Sequence, residues 1–293
     1  MAATKKLKLR STHIVTILDH PHRLSDYLIG VFDEIPSRKG IKKAIKRGLV
    51  YLNHQPGATG DWVAGGDQID LYEQPTPLSP LQYKLDVLHE DQQLAAVYKP
   101  AKILVSGNHH FTLERALPYN IAATCQEDAF TTARPVHRLD YETAGIVLIA
   151  KTRSAYTHLQ SQFYDRLIIK KYLAICCGEL PKEGRVDHCI DGREAITDFF
   201  THEQIHSAKY GPLSLVAFHP VTGRTHQIRI HAAFLGCPII GDKLYSNTAA
   251  NIYRKCHMLL AQAITFNDTT DKRIHITAQI PRRMSRFFPS LIK

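Results

Sequence analysis

Residues 144–150, Ala-Gly-Ile-Val-Leu-Ile-Ala, form an unbroken apolar run, and the stretch just ahead of it, RPVHRLD (134–140), carries two arginines, a histidine and an aspartate. A short apolar run of this composition reads as a buried strand. Whatever the chain folds into must therefore bury 144–150 while holding a dense charged cluster at the strand's mouth. Two readings satisfy that constraint. The cluster is a surface loop that happens to precede a strand, aspartate being favoured in turns, or it is the edge of an active site whose acid is Asp140.

More strand-like runs follow from residue 84 on: LDVLHE, LAAVYK, GIVLIAK, RLIIKKYLAICCG, LSLVAFHP and KRIHITAQI. They are mixed irregularly with a few helical segments, such as SAYTHLQSQFY after Arg153. Strands without a regular strand–helix repeat predict an α+β domain, built on a mainly antiparallel mixed sheet flanked by helices.

The front of the chain has a different character. HRLSDYLIGVFDEI (22–35) places Leu24, Tyr27, Leu28 and Val31 at helical spacing, which predicts a helix with one apolar face. After Pro36, Ser37 is placed to cap a second helix, RKGIKKAIKR, which Gly48 would end. Ile41, Ala44 and Ile45 fall on one side of it, and the remainder is Arg38, Lys39, Lys42, Lys43, Lys46 and Arg47. With no acid among them these cations have no i, i+4 partner and repel one another, a face better suited to phosphates than to water. LVYLN and DQIDLYE read as strands. The proline-rich stretch QPTPLSPLQ then separates this module from the rest. The expected organisation is a small helix-helix-strand module over 16–75, a linker over 76–83 and a large domain over 84–293.

Bulk composition narrows the partners. Lys and Arg number 37 against 27 Asp and Glu, a formal charge of +10 that suggests a polyanion. No apolar run approaches the roughly 20 residues that span a bilayer, and the N-terminus has no apolar core of a secretory signal. The 6 cysteines form no CxxC pair, which favours reduced thiols and a cytoplasmic location. The histidine-rich DHPH and NHH lack a third ligand at metal-binding spacing, so no metal is expected. HRLD also occurs in the catalytic loop of protein kinases, but the glycine-rich loop, strand lysine and Asp-Phe-Gly of that fold are missing.

A third polar feature is TGRTHQIRIHAAFLGCP (222–238). Ile228, His231, Ala232 and Leu235 recur as the stripe of an amphipathic helix, with Thr225 as its expected cap, Gly236 at its end and Pro238 beyond. His226 and Arg229 then share a different face near the positive end of the helix dipole, where an arginine meets a carboxylate or a phosphate. A carboxylate that must stay ionised in low-dielectric surroundings needs such an arginine, because burial alone raises its pKa. Sequence alone does not bring Asp140, the strand tyrosine Tyr172 and Arg229 together.

RPVHRLDYETAGIVLIAKT, KKYLAICCG, TGRTHQIRIHAAFLGCPIIGDKLY and LLAQAITF, in this order and with VYKPAKILV ahead of them, resemble the motifs of the RluA-type pseudouridine synthases over roughly residues 84–289. The front module, over about 16–73, resembles the S-four-like RNA-binding domain through RLSDYL, SRKGIKKAIKRGLVYLN and GGDQIDL. Ala144, where the family usually has serine, and Leu260, where it usually has histidine, depart from the pattern.

The resemblance implies an isomerase that converts uridine to pseudouridine in structured RNA without cofactor or metal. It makes Asp140 the nucleophile, Tyr172 the active-site tyrosine and a candidate for proton removal, and Arg229 the ion-pair partner that orients Asp140. Arg138 would contact RNA and help hold the uridine out of its stack, Leu259 would pack beside the uracil ring, and His137 and Arg224 would contact substrate. The basic helix, from Arg38 to Arg47, would bind RNA. Large-subunit ribosomal RNA is the leading substrate and transfer RNA the alternative; a cytoplasmic monomer without an obligate protein partner is expected. The rival reading is a non-catalytic RNA-binding or ribosome-assembly factor that keeps the fold.

Overall fold

The computed structural model describes residues 7–18, 20–73, 80–107, 109–246 and 256–292. The chain divides into two compact units, Met1–Pro77 and Leu78–Lys293.

The first unit begins with β1 (Lys8–Ile14), ahead of the boundary expected at residue 16, and continues with β2 (His22–Arg23), α1 (Leu24–Tyr27) and α2 (Arg38–Lys46). Then follow β3 (Val50–Leu52), β4 (Gln55–Pro56), β5 (Trp62–Val63) and β6 (Gln68–Glu73). β1, β6, β3 and β4 form one sheet, in that order. The helix expected over 22–35 is a single turn. Leu24 and Leu28 are fully buried as the stripe requires, but Gly30 takes a left-handed backbone (φ +80°) that ends the helical path. α2 forms as expected: the Ser37 Oγ accepts from the Gly40 N–H at 3.2 Å, and Gly48 closes the end at φ +67°. Ile41, Ala44 and Ile45 face the core.

The second unit contains β7 (Asp86–Glu90), β8 (Leu94–Lys99), α3 (Leu113–Asn120), β9 (Ala129–Pro135), β10 (Ala144–Thr152), α4 (Arg153–Tyr164) and β11 (Ile169–Cys177). β12 (Glu183–Asp187), β13 (Ile196–Ser207), β14 (Gly211–Pro220), α5 (Gln227–Phe234), β15 (Leu259–Asn267), β16 (Arg273–Thr277) and α6 (Arg282–Ser285) complete it. Residues 76–79 of the expected linker lie outside the described residues. Its last residues belong to this unit instead: Leu81 and Tyr83 pack on the core, and the Leu81 N–H donates to the Arg115 carbonyl at 2.8 Å.

The 10-stranded sheet runs β12-β13-β14-β11-β15-β10-β8-β7, with β16 added to β15 and β9 to β10. All pairs are antiparallel except β10 with β15, where Ala144 faces Leu260 and Gly145 faces Ala261. On the other side of β15, Leu173 of β11 pairs with the same Leu260 and Tyr172 with Ala261. This register sets the starts of β10 and β15 level with Tyr172, so the loop that ends at Thr143 arrives beside the tyrosine. Gly145 is required there: its φ is +130°, and a Cβ would stand 2.6 Å from the backbone nitrogen of Ala261 and closer still to its carbonyl oxygen. α4, capped by the Thr152 Oγ1 accepting from the Ala155 N–H at 3.2 Å, buries Leu159 in one apolar cluster with Ile146 and Leu148. A fully buried leucine contributes about 1.5–3 kcal/mol.

Candidate active site

The loop from Val136 to Thr143 is held from several sides. The Val136 N–H donates to the Leu148 carbonyl at 2.9 Å, and the Leu148 N–H donates to His137 Nε2 at 3.0 Å. His137 must be neutral to accept; burial pushes its pKa down to about 4. The Thr143 N–H closes a turn on the Asp140 carbonyl at 3.1 Å. Thr143 Oγ1 lies 2.9 Å from Nε2 of the buried His257, whose backbone N–H donates to Glu142 at 3.3 Å. Lys99, fully buried, donates from Nζ to the carbonyls of Ile103, Pro100 and Tyr141 at 2.9, 3.1 and 3.4 Å. These bonds fix the backbone on both sides of Asp140.

Asp140 itself stays one-fifth exposed at a cavity of about 750 Å3. Its Oδ2 lies 3.8 Å from Arg229 Nη1 and its Oδ1 3.7 Å from His226 Nε2. The shorter bonds of Arg229 go elsewhere: Nε and Nη2 donate to the two oxygens of Asp242 at 2.6 and 2.8 Å. Asp242 is fully buried, and despite that burial Arg229 and two backbone N–H groups hold its pKa below the usual range. Arg229 therefore reaches Asp140 with its remaining nitrogen, already oriented. On the other side, the Tyr245 hydroxyl lies 2.9 Å from His226 Nδ1.

α5 starts differently from expectation. Thr225 is not its cap; His226 occupies that position at φ +57° with no side-chain cap bond. The Gln227 side chain organises the turn instead, its Oε1 accepting from Thr222 Oγ1 and the Arg224 N–H at 2.7 and 2.9 Å, and its Nε2 donating to the Ile196 carbonyl at 2.9 Å. This binds the loop to β13 and turns His226 towards Asp140. Gly236 ends the helix at φ +74° as expected, and His231 is structural, bridging Thr197 and the His188 carbonyl.

Tyr172 lines the same cavity. Burial and the negative charge of Asp140 push its phenol well above the usual value. A phenol that keeps its proton so firmly has a hydrogen bond to donate, and removing a proton from substrate requires the bound RNA to change its surroundings. His137, Arg138, Arg224 and Leu259 also line the cavity. Arg138 is exposed, Leu259 is buried at the start of β15, and Arg224 is steadied by donating to the Glu194 carbonyl at 2.8 Å. The large-unit residues singled out in the sequence thus meet in one place. The five cations of α2 and Arg47 at its C-cap are all exposed in the other unit, and one of them, Arg38, is paired with Asp26 at 2.7 Å.

Asp242, Tyr245, His257 and Lys99 were not singled out, and His226 was given no part in the chemistry. The signal for Asp242 was present, since a buried arginine requires a carboxylate, but nothing in the spacing chose it. Among the described residues no three His, Cys, Asp or Glu side chains gather to hold a metal ion, and no helix is long and apolar enough to cross a membrane. Chemically, the cavity offers a carboxylate beside two cationic or hydrogen-bonding groups, a protonated phenol and an apolar wall.

A family model described as RNA pseudouridylate synthase matches residues 93–234. An RNA pseudouridine synthase of Aquifex aeolicus is 31% identical, over 85% of this chain and 86% of that protein. The ribosomal large subunit pseudouridine synthase C of Rickettsia typhi is 31% identical over 91% and 96% of the two chains. Synthase D of Xylella fastidiosa is 34% identical over 77% and 72%. In fold, human RNA pseudouridylate synthase domain containing 1 superposes with a TM-score of 0.58 at 24% identity, covering 75% of this chain and 89% of that one.

Proposed function

The chain belongs to the RluA-type family of RNA pseudouridine synthases, isomerases of RNA uridine, and from that premise we propose that it modifies uridines of large-subunit ribosomal RNA with Asp140 as the catalytic carboxylate. One observation carries this reading: Asp140 is the carboxylate that faces the cavity, 3.8 Å from an arginine already fixed by a second, buried acid. The names of the relatives from Rickettsia typhi and Xylella fastidiosa support the substrate.

The reaction breaks the C1′–N1 bond, rotates the uracil and forms a C1′–C5 bond; C5 loses a proton and N1 gains one, so nothing is added or removed overall. Asp140 either attacks C1′ or takes a proton from the sugar to leave a glycal. In both cases Arg229 and His226 keep the carboxylate aimed, and Leu259 forms an apolar wall for the ring. Arg138, at the rim, takes the RNA backbone where the nucleotide leaves its stack, a step that costs a few kcal/mol. Enclosure protects the cleaved sugar from water. The first unit is the S-four-like module and supplies affinity for RNA through α2. The protein acts as a monomer in the cytoplasm.

The deciding experiment is tritium release from RNA labelled at C5 of uridine, with unmodified ribosomal and transfer RNA offered separately to the native protein and to Asp140→Asn. Release from ribosomal RNA, abolished in the variant, is expected. Release from transfer RNA alone overturns the substrate, and release by Asp140→Asn overturns the role of Asp140.

A further inference from the structure

A second cavity, of about 720 Å3, adjoins the first, and Val136, His137 and Arg138 line both. Its volume is in the range of small-ligand sites, about 300–1,000 Å3. Along with β9 it is lined by Glu114, at the start of α3, and Tyr156 of α4. Nothing in the uridine chemistry uses it.

The groups in it are of two kinds. Glu114 is half-buried, and its backbone N–H is spent on the Val105 carbonyl at 2.9 Å. Its carboxylate oxygens accept no hydrogen bond among the described residues. Burial pushes its pKa up, and only the charge of Arg134 opposes that. A donor from outside would relieve it. Arg134 is exposed and lies over the Phe130 ring at 4.6 Å. Tyr156 meets the same ring edge-on at 5.9 Å. Among the described residues neither Arg134 nor Arg138 forms a salt bridge, so both guanidinium groups are open to a phosphate.

An unsatisfied carboxylate, the Tyr156 ring and two arginines without a salt bridge among the described residues match one nucleotide better than others. Guanine is the standard base with two adjacent donors on one edge, N1–H and the 2-amino group, and a carboxylate accepts both at once. Adenine and cytosine offer one donor beside an acceptor, and uracil offers one donor between acceptors. Sharing residues 136–138 sets the two cavities side by side.

We infer that this cavity binds a guanosine adjacent to the target uridine in the same RNA strand, with Glu114 accepting from N1–H and the 2-amino group and with Arg134 and Arg138 holding the flanking phosphates. The inference rests on the reading that the first cavity takes the uridine. It assigns to the chain a sequence preference next to its target, set by Glu114.

The test uses the full chain and a set of hairpin RNAs, each with one loop uridine flanked on either side by G, A, C or U. Affinity and pseudouridine formation are measured separately. The native protein is expected to bind a guanosine-flanked loop about tenfold more tightly than the others. Glu114→Gln, of equal size, is expected to reduce that preference below about threefold, while Arg138→Ala weakens all loops alike. Replacing the guanosine by inosine, which lacks the 2-amino group, tests the same bond with the native protein alone and is expected to cost most of the preference. Equal affinity of the native protein for all loops, or an undiminished preference in Glu114→Gln or with inosine, overturns the subsite. The two readings fail separately. Guanosine preference without conversion of any loop would count against the function proposed for Asp140 and leave the subsite standing, and conversion without preference would do the reverse.

Discussion

Arg229 donates two hydrogen bonds, of 2.6 and 2.8 Å, to the fully buried Asp242, and meets Asp140 only at 3.8 Å. The division is physically sensible. A carboxylate that must act on substrate is poorly served by a guanidinium clamped on both its oxygens. A second acid that absorbs the bidentate geometry leaves Asp140 the positive field and keeps its oxygens facing the cavity. Tyr245 extends the same arrangement, its ring beneath the Arg229 guanidinium at 5.0 Å and its hydroxyl on His226.

Removing Asp242 should therefore have two separable effects. Asp242→Ala leaves a buried arginine unpaired and should cost about 3–5 kcal/mol, read by urea unfolding. Asp242→Asn keeps the shape but frees Arg229 to swing onto Asp140; turnover should fall on the order of 100-fold, as misplacement near the chemistry does, while RNA affinity changes little. Native turnover in Asp242→Asn would show that Arg229 is positioned by other means.

His137 gives a pH dependence of stability. Its pKa falls from 6.5 unfolded to about 4 folded, so the unfolded chain takes up the proton first. The contribution is complete above pH 6.5 and is lost as the pH drops towards 4, by at most about 1.4 kcal/mol per pH unit. His257, depressed to about 3 by burial and by the charge of Arg229, acts in the same direction. Comparison with His137→Gln isolates the first effect: between pH 7 and pH 5 the native protein should lose more stability than the variant. Equal losses would remove His137 from the account.

Much of this architecture was legible in the sequence because it depends on local rules. The apolar stripe and Ser37 specify α2, and the charged loop before 144–150 announces Asp140. The strands that were not read, β1, β2, β4, β5, β9, β12, β13 and β15, include stretches such as Thr-Asp-Phe-Phe-Thr-His-Glu in β13, whose polar positions hide the pairing. The first helix failed at Gly30, where backbone freedom outweighs an apolar stripe. Thr225 lost its capping role to Gln227, which bonds to a strand 31 residues away. Asp242 lies 13 residues beyond Arg229, and only the folded path after α5 selects it from among the acids.

Gly145 tests how tightly the parallel junction carries the site. A methyl group there collides with the Ala261 backbone, and the position also has φ +130°. Gly145→Ala should cost at least about 3 kcal/mol, overpacking and backbone strain together. Gly211→Ala, at φ +71° with open space around it, carries only the conformational part and should cost about 1 kcal/mol. Urea unfolding of both variants decides; equal losses would mean that β15 gives way freely at Ala261.

The last prediction concerns α2. Lys42, Lys43 and Lys46 are exposed, and among the described residues none of them has a carboxylate partner, so each can neutralise a phosphate without first breaking an ion pair. Changing all three to alanine, a strong helix former, leaves the buried face of Ile41, Ala44 and Ile45 untouched and should not lower stability. Binding to unmodified large-subunit ribosomal RNA should weaken, and the slope of log affinity against log salt should become shallower by about 2, three phosphates at about 0.7 each. Arg38→Ala alone should do less, since its guanidinium is already engaged by Asp26 at 2.7 Å. An unchanged salt slope in the triple variant would place the RNA contacts of this unit on another face.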